Sequence, residues 1–301
     1  MKLKSILSAL LFVVVITVSA KGTKDDNSLL WKVSHPGLSS PSYLFGTHHL
    51  VPVSFLDEVA GIESAFGSTK QVVGELDMGR KLSMQMKMIK KALMPKGYDY
   101  KTLLSKEDYD LLEQQVQEIM GMKFSKLDKM KPAMISNLLM IMMYQKYYPN
   151  AELDKGIDQY FQEKAKKNKM MVKGLESAED QMYVLLEQQS IERQAELLMC
   201  SLKHPELLKE QMDKLQDAYH SQNLAALEAL YNEESDDDPC PSTDEEKYEM
   251  NAARNKRWLK QLPDIMKDKP SFIAVGCLHL VGKDGLIEGL RKSGYTVEPV
   301  K

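Results

Sequence analysis

The two ends of this 301-residue chain carry the same local pattern. Residues 43–51 read YLFGTHHLV and residues 273–281 read IAVGCLHLV. Each is an apolar run, then G-x-x-H-L-V, then a stretch with helical spacing (residues 54–65 and 283–292), then a second strand-like run. Gly67 and Gly294 follow the two helical stretches as candidate residues just past a helix end. A lone G-x-x-H carries no information. Two of them, each leaving a strand and entering a helix, require a sheet that seats both strand–loop–helix–strand units.

Five strand-like runs are legible, at residues 42–46, 71–76, 170–175, 271–276 and 295–300. They are short, apolar and rich in β-branched residues, as buried strands of an α/β sheet are. Residues 78–232 instead repeat Leu, Ile and Met at three- and four-residue steps, with Pro132 and Pro149 as dividers. Ser177 with Asp180, and Ser242 with Glu245, are capping-box starts for two later helices. The expected fold is therefore α/β (α+β): a central mixed sheet built from the two strand–GxxH–helix–strand units, with a large helical insertion at about residues 78–232. Residues 29–301 form one domain on this reading. Residues 78–143 of the insertion hold 12 of the 20 methionines, which suit either a helical core or a groove for apolar partners. The acidic run at residues 233–238 reads as a solvated loop.

Residues 1–20 (MKLKSILSALLFVVVITVSA) have a basic start, an apolar middle and a small-residue exit, the pattern of a secretory signal peptide. Residues 21–28 would then be a polar tether, and the protein would be exported, to the periplasm or the exterior. The alternative is membrane anchoring by an uncleaved N-terminal segment. Lys and Arg total 40 against 43 Asp and Glu, a balance that excludes binding to nucleic acid through phosphate neutralisation. Export makes a Cys200–Cys240 bridge plausible, with two unpaired thiols as the alternative. Cys277, in an apolar run, reads as a small buried residue.

Ligands of open α/β sheets bind beyond the carboxyl ends of the strands. Gly46 and Gly276 are read as sharp turns that point His49 and His279 over that edge. Glu75, at the end of the 71–76 run, adds a carboxylate. Two imidazoles and a carboxylate make an open divalent-metal site, although either histidine alone reads as a hydrogen-bonded structural residue. His48 has no counterpart in the second turn, where Leu278 stands, and reads as a residue lining the site or supporting a ligand. Asp77 is a candidate for orienting a histidine. Arg254 and Asn255 are candidates for holding a substrate carbonyl or carboxylate, and Arg257 is expected to face water.

Taken together, Gly46-Thr47-His48-His49, Glu75-Leu76-Asp77, residues 153–158 (LDKGID), Gly174-Leu175-Glu176-Ser177, Arg254-Asn255 with Trp258, and Gly276-Cys277-Leu278-His279 resemble the TraB/PrgY/GumN family, in order from about residue 30 to 300. That family is related to the TIKI proteins, membrane-associated metalloproteases that clip an N-terminal segment from a signalling protein. The resemblance implies an α/β core of the erythromycin-esterase/ChaN type. It also implies a metal site at His49, Glu75 and His279 with manganese or cobalt, zinc being a further candidate, and a polar partner at Arg254 or Asn255. Cys277 replaces the small Ala or Ser of many relatives. The function expected is a metal-dependent peptidase or hydrolase acting on a peptide or protein that is apolar in part. The alternatives are a peptide-sequestering protein and a haem or small-molecule binder.

Overall fold

The computed structural model describes residues 27–149, 151, 156–233 and 238–301, leaving aside the side chains of residues 80–86. The expected signal peptide, most of the tether and residues 234–237 of the acidic run lie outside the described residues.

Six strands form one mixed sheet in the order β4-β3-β5-β2-β1-β6. They are β1 (Leu30–Ser34), β2 (Ser42–Thr47), β3 (Gln71–Gly74), β4 (Met171–Gly174), β5 (Ser271–Gly276) and β6 (Thr296–Pro299). β4, β3, β5 and β2 are mutually parallel, while β1 runs antiparallel to both β2 and β6. The two end units thus meet directly. β2 pairs with β5 in a register that places Gly46 opposite Val275 and Thr47 opposite Gly276. β3 is buried at every position and β5 at all but its last, so helices cover both faces, as for parallel strands generally. β1 was not legible in the sequence: it is five residues long, holds Lys32 and Ser34, and follows a polar stretch.

The helices are α1 (Ile62–Gly67), α2 (Lys81–Ala92), α3 (Tyr100–Leu103), α4 (Lys106–Met120), α5 (Pro132–Tyr147), α6 (Ile157–Lys167), α7 (Ala178–Leu186), α8 (Ile191–Lys203), α9 (Pro205–His220), α10 (Leu224–Tyr231), α11 (Asp244–Lys247), α12 (Ala253–Asp268) and α13 (Leu286–Lys292). α1 and α6 seal the sheet through an aromatic cluster of Phe45, Phe66, Phe161 and Phe272. The insertion has a core of its own around Tyr100, Leu112, Phe124, Ile135 and Leu198, with Met94, Met120, Met122 and Met130 packed on it. Met88 and Met140 are exposed, so the methionines divide between core and surface. No helix among the described residues is long and apolar enough to cross a membrane.

Several local expectations shift. The helix expected at residues 54–65 splits into a 3-10 turn (Val53–Glu58) and α1, because Gly61 adopts a left-handed φ of 74° between them. Gly67 closes α1 from inside, whereas Gly294 does take a left-handed φ of 88° after α13. Ser177 and Asp180 form their capping box. The second box is one residue later than expected, on Thr243 and Glu246, where Arg193 also pairs with Glu246. Cys200 and Cys240 are joined by a disulfide, and Cys277 is buried and free.

Gly46 and Gly276 do not have left-handed φ angles, which corrects the sharp-turn reading. Gly46 is small because the second unit presses on it: a Cβ there would lie 3.1 Å from the Cys277 Cα and 3.0 Å from a Leu280 methyl. Gly46→Ala should therefore wedge β2 away from the β5 turn and lower the stability measured by urea unfolding by about 1–3 kcal/mol.

Candidate active site at the carboxyl edge of the sheet

Four adjacent parallel strands each deliver one ionisable side chain just past their ends. Glu176 follows β4, Glu75 follows β3, His279 follows β5 and His49 follows β2. The fifth contributor is α12. Asn251, Arg254, Asn255, Trp258 and Leu262 recur at helical steps of three and four and are all buried, so one stripe faces the sheet edge. A π-helical turn (Tyr248–Ala252) leads into that stripe, an irregularity often found at functional sites.

His279 is held on three sides. Its Nδ1 lies 2.8 Å from Asn255 Oδ1, and its ring packs 4.4 Å from Trp258. Asn255 Nδ2 donates to Asn251 Oδ1 and to the carbonyls of His279 and Asp284, which leaves Asn255 Oδ1 as an acceptor. The proton of neutral His279 is thereby placed on Nδ1 and the lone pair on Nε2. Burial drives the His279 pKa down to about 3, so the ring is neutral at physiological pH.

His49 repeats the arrangement. Its Nδ1 lies 2.7 Å from Asp158 Oδ2, and Asp158 Oδ1 accepts from Thr47 Oγ1 at 2.8 Å. The Asp158 carboxylate raises the His49 pKa to about 9. With a side chain 63% exposed, His49 presents Nε2 to solvent while Nδ1 is anchored. Each imidazole is therefore oriented by a side-chain oxygen at Nδ1, as metal-binding histidines commonly are.

Between the two histidines lies a buried ionic cluster. Arg254 Nη2 donates to Glu75 Oε2 at 2.5 Å and to Glu176 Oε1 at 2.6 Å, and Nε donates to Glu176 Oε2 at 3.0 Å. Arg254 Nη1 reaches His279 Nε2 at 3.0 Å and the Met250 carbonyl at 3.2 Å. Glu75 Oε1 accepts from the Gly276 N–H at 2.9 Å and lies 3.9 Å from His279 Nε2. Burial alone would raise the Glu75 pKa, but His279 when protonated, and Arg254 at any pH, outweigh it and hold the carboxyl down to about 2. Burial raises the Glu176 pKa against the pull of Arg254.

His49, Glu75 and His279 thus share one site and one electrostatic field. Among the described residues, however, no three His, Cys, Asp or Glu side chains stand close enough to hold a metal ion as they are placed. The Arg254 guanidinium lies against two of the three expected donors. The donor set nonetheless has the chemistry of a divalent-cation site, with two oriented imidazoles and an ionised carboxylate. The charge balance points the same way. With both carboxylates ionised and His279 neutral, Glu75, Glu176 and Arg254 leave one uncompensated negative charge in a buried cluster, a costly state unless a cation or proton joins it.

Other expected residues fall elsewhere. Asn255 is fully buried with its amide engaged, so it cannot reach a substrate and instead positions His279. Asp77 is exposed and accepts from the Gly79 N–H at 2.8 Å rather than orienting a histidine. His48 turns inward against Tyr144 and Tyr219, and burial takes its pKa down to about 4. Arg257 is exposed. Asp158 and Glu176 received no role from the sequence. Both lie in quoted motifs, LDKGID and GLES, whose glycines were the available signal. A Cβ on Gly156 would lie 2.8 Å from the His49 carbonyl, and one on Gly174 would lie 2.7 Å from the Asp77 nitrogen.

A model of the TraB/PrgY/gumN family matches residues 29–299. Metalloprotease TIKI2 of Danio rerio is 34% identical over 100 residues, covering 33% of this chain and 19% of that protein. The chain therefore spans about a fifth of that relative's length. No solved structure matches the chain.

The buried histidines give a signed pH dependence. His48 and His279 stay neutral when folded but protonate near pH 6.5 when unfolded, so their stabilisation is complete above about pH 6.5 and is lost as pH falls toward 4. His49, with its pKa raised, alters its contribution only between about 6.5 and 9. Urea unfolding at pH 5 should show a loss on the order of 2 kcal/mol per buried imidazole relative to pH 7. His48→Phe should remove about half of that slope.

Proposed function

The chain belongs to the TraB/PrgY/gumN family, and from that premise we propose that it is a divalent-metal-dependent hydrolase of peptide bonds. The observation that carries the reading is the paired geometry of His49 and His279, each fixed at Nδ1 by a side-chain oxygen, with His279 Nε2 3.9 Å from Glu75 Oε1 and His49 Nε2 open to solvent. Mn²⁺ or Co²⁺ is the proposed ion, with Zn²⁺ as a further candidate. The proposed substrate is a peptide or protein that is apolar in part. Export to the periplasm or exterior is supported by the composition of residues 1–20 and by the Cys200–Cys240 disulfide, which belongs in an oxidising compartment.

His49 and His279 would hold the ion through Nε2, with Glu75 as third donor or as base. The ion, when bound, supplies Lewis acidity for polarising a carbonyl and acidifying water. Glu75 is ionised at neutral pH, so a carboxylate oxygen can accept a proton from a nucleophile. Arg254, whose N–H groups are engaged by Glu75, Glu176, His279 and the Met250 carbonyl, would donate to the oxygen that gains negative charge by exchanging one of those acceptors for it. Asp158 and Asn255 hold the two imidazole tautomers. A cleft of about 670 Å³ in the helical insertion reaches Met250, Asn251 and Leu278, next to Arg254 and His279, and offers a wall for the substrate chain.

A second reading rests on the Arg254 guanidinium lying against Glu75 and His279. There the site works without metal, and the His49–Asp158 pair, protonated below about pH 9, serves as the general acid.

Peptide-library cleavage by the purified chain, with Mn²⁺ and after exhaustive EDTA dialysis, separates these readings. The metal reading expects activity only with Mn²⁺. It also expects His49→Ala or His279→Ala to abolish cleavage with the fold retained, and Glu75→Gln to slow it by about 10²–10⁴. Full activity in EDTA, lost in Asp158→Asn, would establish the metal-free reading instead.

A further inference from the structure

The cleft of about 670 Å³ beside the candidate site has two unlike walls. One belongs to the insertion and offers side-chain amides: Asn137 on α5, Gln188 just past α7 and Gln211 on α9. Among the described residues, the Asn137 and Gln211 side chains make no hydrogen bond, and Gln188 makes one long one, 3.5 Å to the Glu245 carbonyl. An amide carries both donors and acceptors, so this wall can pair with the N–H and C=O groups of any extended chain. The facing wall is one side of a helix. Asp244, Lys247 and Asn251 recur at three- and four-residue steps, as do Glu246 and Met250, from α11 into the π-helical turn. Its far end holds Asp238 and Asp244, which have no ion pair among the described residues, whereas Arg193 takes Glu246 and Lys214 takes Glu233. Its near end holds Met250, 44% exposed, and Leu278, the neighbour of His279 in the chain. From Asp244 to Met250 the helix rises about 9 Å, a length that about three residues of an extended peptide cover.

We propose that this cleft is a recognition subsite for a polypeptide segment with an apolar side chain beside the sheet edge and a lysine or arginine about three positions away. What the bound chain then undergoes rests on the hydrolase reading above; the recognition rests on the cleft alone. Met250 and Leu278 take the apolar side chain out of water, and Asp244 and Asp238 pair with the cation. The amide wall holds the backbone without regard to sequence. An ion pair in a half-open cleft is worth less than a buried one, so the carboxylates set the preference while apolar contact supplies most of the affinity. The two G-x-x-H turns differ accordingly. Leu278 lines the cleft, whereas His48, its counterpart in the first turn, packs inward on Tyr144 and Tyr219.

The test is binding, read by fluorescence anisotropy of labelled hexapeptides on the full chain with no metal added, so it does not depend on cleavage. The probes are Ala-Leu-Ala-Ala-Lys-Ala, the reversed order Ala-Lys-Ala-Ala-Leu-Ala, and each of these with glutamate in place of lysine. The proposal expects one order to bind at least tenfold more tightly than its glutamate counterpart. Asp244→Asn should weaken that binding at least threefold with circular dichroism unchanged, and Asp244→Lys should move the preference toward the glutamate peptide. Equal binding of the lysine and glutamate peptides by the wild type overturns the proposal, as does no binding of either or an Asp244→Asn variant that binds as the wild type does. The hydrolase reading is decided separately, by the Mn²⁺ cleavage assay. Selective binding without cleavage upholds the subsite and removes the hydrolase, and cleavage without this selectivity does the reverse.

Discussion

The parallel pairing of β2 with β5 is the constraint on which the site depends. Those strands lie about 230 residues apart in sequence, yet their register puts Thr47 beside Gly276. Everything past that point follows from geometry. A residue two places beyond β2 and one three places beyond β5 emerge on the same edge, and both are histidines. A one-residue slip would turn one imidazole onto the opposite face of its strand extension. The close approach of Cys277 to Gly46 locks the two turns together, so glycine serves here as a contact surface.

Electrostatics then decides what that edge can do. Buried carboxylates are expensive, and this site holds two within reach of one guanidinium. Burial pushes His279 to its neutral form while Arg254 helps keep Glu75 ionised, so both neighbouring groups are held deprotonated, one neutral and one charged. A neutral donor nitrogen beside an ionised carboxylate is the state in which both can hold a cation or handle a proton. Asn255 contributes from behind the ring, by fixing which nitrogen carries the hydrogen.

Much of this was legible in the sequence because it was written twice. The repeated G-x-x-H-L-V marked both turns, and the 71–76 run carried Glu75 as its last residue but one. The α12 stripe could be read from Arg254, Asn255 and Trp258. Other features were not legible for physical reasons. Asp158 and Glu176 are single acidic residues in a chain with 43 of them, and only the close approaches at Gly156 and Gly174 distinguish their surroundings. Asn255 looked like a substrate contact because residue type and spacing do not reveal depth. Gly61 broke an expected helix with a left-handed φ of 74°, at a point where a Cβ would lie 2.7 Å from a Val300 methyl, a neighbour far off in sequence.

The helical insertion looks separate, with its own core, but it is coupled to the chemistry through α12. The disulfide joins α8 to Cys240, Arg193 on α8 pairs with Glu246 and donates to the Pro241 carbonyl, and Thr243 caps α11. α11 runs without interruption through the π-helical turn into α12. Asn251 in that turn holds the Leu278 carbonyl, one residue before His279. A displacement of the 238–247 segment would therefore reach Arg254 and His279 through one continuous helix, whereas a displacement of α2 would reach Glu75 and Glu176 only indirectly, through its ion pairs to α7 and Gln181. Segment 238–247, just past the insertion, is thus where the insertion is tied to the site, and its Cys240 is covalently joined to α8.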